Sequence, residues 1–545
     1  MKRLRVPRAL AAVASAVLMA GATLTGGAAA YADGHPGHDG GGDGSVVYVS
    51  AHRGYGGPGR DPGCVHPRYR TIQDGVDAVA PGGAVVVCPG RYAEDVLVTH
   101  PLRLLGQGAV IDAGGLRNGV VIASSDVLVQ GFTVTGALGE GILAEPAGAV
   151  IDPVPPTSPS GVMAPISNVN IARNVVTADN TGGDPRFHQC PEQPSAPMYL
   201  YPGDCGGGIH LDTVSYSQVQ GNVVTGNNDG ILVTDDYGPA SSNVIAGNYV
   251  ARNLYECGIV LPSHNPFSVA ATLNPNGTFT VGALNPTAGG VYRNSVIGNV
   301  VIGNGTAPSP MGPGGSGSGV GVFAPAAGTA AYDNTVAFNF ISRNGQAGFT
   351  IHAHYPGGEY VDGNQVFANT FGTNNLGGDF LDGPGTDANT ATTAVLVFSA
   401  VAVSMVITGN HIYGNATGIW LTPSVQATGL AANSISGATT AVYVSRVPYA
   451  FTGPAVSTKA GSVMVGVLIT ANGTPTTYYV EYGTSSDPYE FRTPMALAGS
   501  AVVPVGLAIG LPKVTAAGLT IHYQVVATNG FGIRSGGDMT FTSTG

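Results

Sequence analysis

One short phrase, glycine and asparagine followed by apolar residues, returns along the middle of this 545-residue chain and leaves few folds open to it. It reads Gly221-Asn222-Val223-Val224-Thr225, then Gly247-Asn248-Tyr249-Val250-Ala251, and returns around Asn299, Asn339, Asn369, Asn410 and Asn433. The uninterrupted intervals are 26 residues (Asn222 to Asn248) and 23 residues (Asn410 to Asn433). A unit that short buries its apolar face only by stacking on its neighbours, which means a solenoid. Longer intervals read as the same unit with loops inserted. With 84 glycines and only 10% charged residues, the chain suits short strands joined by sharp turns and not helical bundles.

Residues 1–32 read as a secretion signal: Lys2, Arg3, Arg5 and Arg8, then an apolar stretch from Ala9 to Ala20, then Ala30-Tyr31-Ala32 as a cleavage site. A flexible leader follows over 33–45, and no later apolar run is long enough to span a membrane. The expected location is therefore extracellular. Losing the signal's four positive charges takes the formal net charge from −11 to −15, and the only remaining lysines, Lys459 and Lys513, lie outside the repeats. Such a surface repels polyanions, so nucleic acid is excluded as a partner. Cys64 with Cys88, and Cys190 with Cys205, are plausible disulfides of an exported protein; Cys257 is left over as a buried, inert thiol.

Val46–Val49 reads as a first strand. From Tyr69 to Ala80, apolar residues at 72, 76, 79 and 80 have the spacing of an amphipathic helix, which Pro81-Gly82 stops. Strands follow at Val85–Val87, Val96–Val98 and Leu102–Leu105. The line from Ile72 to Gly108 resembles the opening of the pectate-lyase-like right-handed parallel β-helix, with NosD-like repeats continuing to about residue 450. That resemblance implies an all-β, single-stranded solenoid over 46–451, closed at its start by the helix. From about 452 the pattern changes to alternating strands split by Asn472-Gly473 and Gly483-Thr484. Residues 455–545 resemble the fibronectin type III-like modules appended to secreted bacterial enzymes, implying a small β-sandwich that serves as spacer or binding accessory.

The coils align on the strand after each glycine: Gly208-Ile209-His210-Leu211, Gly230-Ile231-Leu232-Val233, Gly258-Ile259-Val260-Leu261 and Gly348-Phe349-Thr350-Ile351. Positions one and three are apolar and face in; positions two and four face out. The asparagines should form a hydrogen-bonded ladder at a turn. Insertions at 146–166, 264–288 and 355–361 leave after this strand, and those at 180–206, 304–317 and 372–393 arrive before it. Together they should raise a trough over one sheet, carrying Phe187, Tyr199, Tyr201, Phe267, Tyr355, Tyr360 and Phe380 as surfaces for sugar rings.

The register puts His210 at position two and Asp212 and His352 at position four. Asp236, His264 and His354 fall at position six, with Asp235, Tyr237 and Tyr355 beside them. Asp236 and His264 lie on adjacent coils in one column, within hydrogen-bonding reach, and an imidazole oriented by a carboxylate is a sound acid or base near neutral pH. We expect a polysaccharide hydrolase or lyase with Asp236, His264 and His354 as catalytic groups. Asp212, His210, Asp235, Tyr237, His352 and Tyr355 are the expected substrate-binding residues. No metal ligand set is assigned; Ca²⁺ is the one cofactor considered, and the protein is expected to be a monomer. The family's polygalacturonase-type acids are matched only by Asp229, and its lyases' Lys or Arg base has no lysine here. The alternatives are a non-catalytic carbohydrate-binding or cell-surface adhesion protein, and a metal-handling β-helix favoured only by the histidines.

Overall fold

A computed structural model describes residues 46–51, 63–151, 155–181, 207–274, 279–308, 317–353, 357–379, 391–457, 463–512 and 517–543. Three long parallel sheets run its length: a 12-stranded sheet from Val46–Val49 to Val425–Thr428, and two of 11 strands, from Val96–Val98 to Thr440–Val444 and from Gly90–Tyr92 to Ser434–Ser436. A five-stranded sheet from Ile166–Ser167 to Ala331–Tyr332 adds a fourth side to the middle coils. Each strand pairs with its counterpart one coil away, the topology of a right-handed parallel β-helix.

The sheet carrying the expected site keeps one register throughout: Ile209, Ile231, Ile259, Val320 and Phe349 stack as one column. All are buried in one continuous core with Leu211, Val233 and Leu261. The glycine before each strand is needed because coils meet closely there. A Cβ on Gly230 would collide with the Gly258 carbonyl oxygen and the Val250 side chain.

The asparagines form three ladders where one was expected. They run from Asn174 to Asn433, from Asn227 to Asn415 and from Asn243 to Asn364. Asn222 shows the bonding: its N–H donates to Asn248 Oδ1 at 2.9 Å, and its Nδ2 donates to the Ile171 carbonyl at 2.8 Å. Each rung satisfies turn backbone that would otherwise be buried unpaired. The residue before a rung is left-handed (φ 64° at Gly221, 57° at Arg252), which explains the glycine–asparagine phrase. Asp179 replaces asparagine at the start of the second ladder. Its Oδ1 accepts from Ala137 N at 2.8 Å, but its buried Oδ2, where the ladder asparagines carry their Nδ2 donor, has no hydrogen-bond partner. Burial pushes this carboxyl up to about 8.

A helix, α1 (Ile72–Ala78), closes the N-terminal end, with Ile72 and Val76 inside the core. Cys64 and Cys88 form a disulfide beside it; Cys190 and Cys205 lie outside the described residues. Cys257 is buried, its sulfur accepting from Ser318 N at 3.3 Å. After the last coil, two antiparallel sheets enclose a second core that includes Val465, Val480, Tyr523 and Val525. Their first strand, Tyr449–Ser457, crosses the expected boundary between 451 and 455. Among the described residues no helix is long and apolar enough to cross a membrane.

Candidate active site

Glu140, His210, Thr234, Asp236 and His264 form one hydrogen-bonded line across four successive coils. His210 Nδ1 lies 3.0 Å from Glu140 Oε1, and its Nε2 2.8 Å from Thr234 Oγ1. Thr234 Oγ1 donates to Asp236 Oδ2 at 3.2 Å, and Asp236 Oδ1 is 2.7 Å from His264 Nδ1. Asp212 is joined to this line from the side, its Oδ1 accepting from Asp236 N at 3.1 Å and from Thr213 Oγ1 at 2.9 Å. The strands Ile209–Asp212 and Ile231–Thr234 supply the alignment, since His210 pairs with Leu232 and Asp212 with Thr234.

The surroundings separate the two aspartates. Burial, and then the charge of Asp236, hold the Asp212 carboxyl well above the usual carboxylate range. Burial would raise Asp236 too, but the imidazoles of His264 and His210 and the Thr234 hydroxyl outweigh it and hold Asp236 low. Burial pulls His210 down, yet Glu140, Asp212 and Asp236 lift it to about 10. Of the two coupled carboxyls, Asp212 is therefore the one that holds a proton more readily and Asp236 the one that gives it up, beside a His210 that stays cationic at neutral pH.

The expected site residues do not all converge. Asp235 is fully buried and anchors the base of the 264–288 insertion: Oδ1 accepts from His264 N (2.6 Å) and Asn265 N (3.1 Å), Oδ2 from Ser263 Oγ (2.8 Å), Ser268 Oγ (3.1 Å) and Gly290 N (2.5 Å). Tyr237 is only 1% exposed. Both oxygens of Asp235 are taken up by these donors, so it braces the insertion where a substrate-binding role was expected, and Tyr237 is buried beside it in sequence. His352 sits apart, paired through Nε2 with Asp379 Oδ2 at 3.0 Å and stacked on Phe323. His354 and Tyr355 lie outside the described residues, as do Phe187, Tyr199, Tyr201 and Phe380. Phe267 is half-buried, and Tyr360 meets Tyr332 edge to face.

Outward-facing positions are not the open floor that alternation predicts. His210 and Asp212 are buried, and Leu232 and Val260 pack with Cys257 in a small outer cluster. The cluster's opening is at Asp236, whose side chain is 10% exposed against 2% for His264. Glu140 and Thr234 were missed. Glu140 precedes its strand glycine by one residue, as Asp229 does, and that shared offset was the available signal.

A family model described as periplasmic copper-binding protein (NosD) matches residues 203–304, the coils that hold most of this cluster. Among solved structures, the chain is similar to the enzymatically active domain of bacteriophage CBA120 tailspike protein 2, with 12% identity and a TM-score of 0.36 over 87% of this chain and 73% of that one. It is also similar to chitinase ChiW of Paenibacillus sp. str. FPU-7, a cell-surface-expressed multi-modular enzyme, with 9% identity and a TM-score of 0.17 over 85% of this chain and 23% of that one. No curated protein matches the chain.

Copper, in that family description, prompts a test of the donor set. His210, Asp212 and Asp236 bring ligand atoms within 4.8 Å of one another. Both nitrogens of His210 are held by Glu140 and Thr234, and the group has neither thiolate nor thioether, so it does not suit Cu(I), whereas its imidazole and carboxylates are donors of the kind Cu(II) takes. Ca²⁺ takes about 6–8 oxygen ligands, more than two carboxylates provide. The arrangement is one of proton-carrying groups.

Proposed function

We propose that this is a secreted, extracellular glycoside hydrolase acting on a neutral polysaccharide, with Asp236 and Asp212 as its carboxyl pair. The supporting observation is that two carboxyls with ligand atoms within 4.8 Å of each other are displaced in opposite directions, Asp236 held low and Asp212 held high. That separation is too short for the water of an inverting mechanism, which needs about 6.5–9.5 Å, and favours retention. Asp236, the more exposed member, attacks the anomeric carbon; Asp212 gives its proton to the departing glycosidic oxygen. Water then releases the sugar, returning a proton to Asp212. His264 orients Asp236, and Glu140 holds His210 as the cation that keeps Asp236 ionised. Elimination from an acidic polymer is disfavoured because the cluster is rich in carboxylates and contains no Lys or Arg to meet a uronate.

The near-complete burial of His210, Asp212 and His264 favours a second reading, in which the cluster braces a non-catalytic carbohydrate-binding surface. Residues 33–545 incubated with neutral and acidic polysaccharides, with and without Ca²⁺, distinguish the two. Reducing ends without ultraviolet absorbance, lost in Asp236→Asn, are the expected result. Absorbance of unsaturated products would make the protein a lyase, and binding without cleavage would favour the second reading.

A further inference from the structure

The two ends of the solenoid are finished differently. At the N-terminal end, Gln73 of α1 places its side-chain amide across the edge strand Val96–Val98: its Oε1 accepts from Leu97 N at 2.8 Å and its Nε2 donates to Leu97 O at 3.1 Å. Glu94 in turn accepts from Ile72 N at 2.8 Å and Gln73 N at 3.0 Å, fixing the start of the helix. The backbone edge of that strand is covered by Gln73, and the core by Ile72 and Val76.

The C-terminal end has no such cover among the described residues. Val425–Thr428, Ser434–Ser436 and Thr440–Val444 are the final strands of the three long sheets, each with one unpaired edge. Val425, Ala427, Leu430 and Ile435 pack on the core but stay partly exposed, and Val442 and Val444 are 37% and 47% exposed. The chain then turns back: Tyr449 packs on Phe398, two coils before the end, and Thr470 Oγ1 donates to Ala400 O at 3.3 Å. The C-terminal sheets dock on the flank of the solenoid, and among the described residues none covers its end.

We infer that this open end is the interface with a second copy of the chain, giving a two-fold, end-to-end dimer. Three observations select that partner. Unpaired strand edges are completed by other strand edges, and proteins that avoid such pairing guard them with charge or proline. Residues 425–444 contain no charged side chain and no proline, so nothing guards them. The chain is acidic (net −11), so most faces of two copies repel, whereas these neutral ends do not. Because α1 seals the other end, head-to-tail growth is blocked and open end meets open end, which closes at two copies. This reading departs from the expectation of a monomer.

Sedimentation of the full chain across a range of concentrations tests it. A dimer is expected, and Val442→Glu with Val444→Glu should weaken it by about tenfold or more by placing like charges on each side of the axis. Ser434→Lys, on the exposed edge of another sheet, should act alike, with unchanged circular dichroism showing that both variants fold. Hydrogen exchange at high and low protein concentration should show protection gained within 425–444. A monomer at every concentration, or a dimer that these folded variants leave intact, would overturn the inference.

Discussion

Within one sheet, the coils from Ile209 to His264 and those from Thr393 to Val444 solve the same packing problem with opposite chemistry. Outward positions upstream carry His210, Asp212, Thr234 and Asp236; downstream, Leu396, Phe398, Trp420 and Tyr443 stand in equivalent register. Leu396, Phe398 and Trp420 are buried, as His210 and Asp212 are. The backbone therefore accepts either filling. Replacing buried ionic groups by apolar ones is often neutral or stabilising by about 1–4 kcal/mol, so four carboxyls (Glu140, Asp212, Asp235 and Asp236) near two imidazoles are not what this fold needs to stand. Asp235 is the exception, since its donors secure an insertion. The remainder are what the proposed hydrolase would use.

Predictions that strain this contrast run from large to small. Trp420→Ala should cost about 3–5 kcal/mol in denaturant unfolding followed by circular dichroism, because it empties the downstream cluster. A loss under about 1 kcal/mol would mean that cluster is not packing-driven.

Glu140→Leu should cost about 3 kcal/mol at pH 6, since it leaves His210 buried without its carboxylate. The sign with pH follows from His210 being raised to about 10. Its contribution is complete below the unfolded value near 6.5 and disappears as pH climbs through about 10. The parent should lose that stability over this window, and the variant should not.

Asp179→Asn should stabilise by about 1–3 kcal/mol at pH 8 by restoring a ladder donor. Asp179 is protonated in the folded chain up to about 8 but ionises near 3.8 when unfolded, so stability falls as pH rises between those values. The gain from the substitution should therefore shrink toward pH 4. Asp212→Asn should change stability least, by under about 1 kcal/mol, because it keeps an oxygen to accept from Asp236 N and Thr213 Oγ1 and removes a carboxyl whose charged form burial disfavours.

The repeat, the capping helix and the strand register were legible because each follows from local periodicity. The Asp236–His264 contact was legible for the same reason: both sit six residues after a strand glycine on neighbouring coils. Glu140 was not, because it meets His210 through coil stacking across the long 146–206 interval, which no local pattern measures; Thr234 stands at the register position of Asp212 one coil on, and only its hydroxyl's contacts with His210 and Asp236 mark it out. Alternation correctly gave the direction of His210 and Asp212 but not their burial, which depends on what covers the outer face. Asp235 looked like its neighbour Asp236, yet one residue further along a strand end reverses the direction of the side chain. His352 found Asp379 from an arriving insertion, a contact that no repeat encodes.

The central claim is that the upstream charges serve chemistry and not stability. Asp212→Asn combined with Asp236→Asn tests it most directly when unfolding and cleavage of neutral polysaccharides are measured on the same preparation. The account predicts loss of reducing-end release with a smaller loss of stability than Glu140→Leu shows, because asparagine keeps an oxygen acceptor at each position. Cleavage that survives the double variant, a loss of stability exceeding that of Glu140→Leu, or a parent protein that cleaves nothing would contradict it.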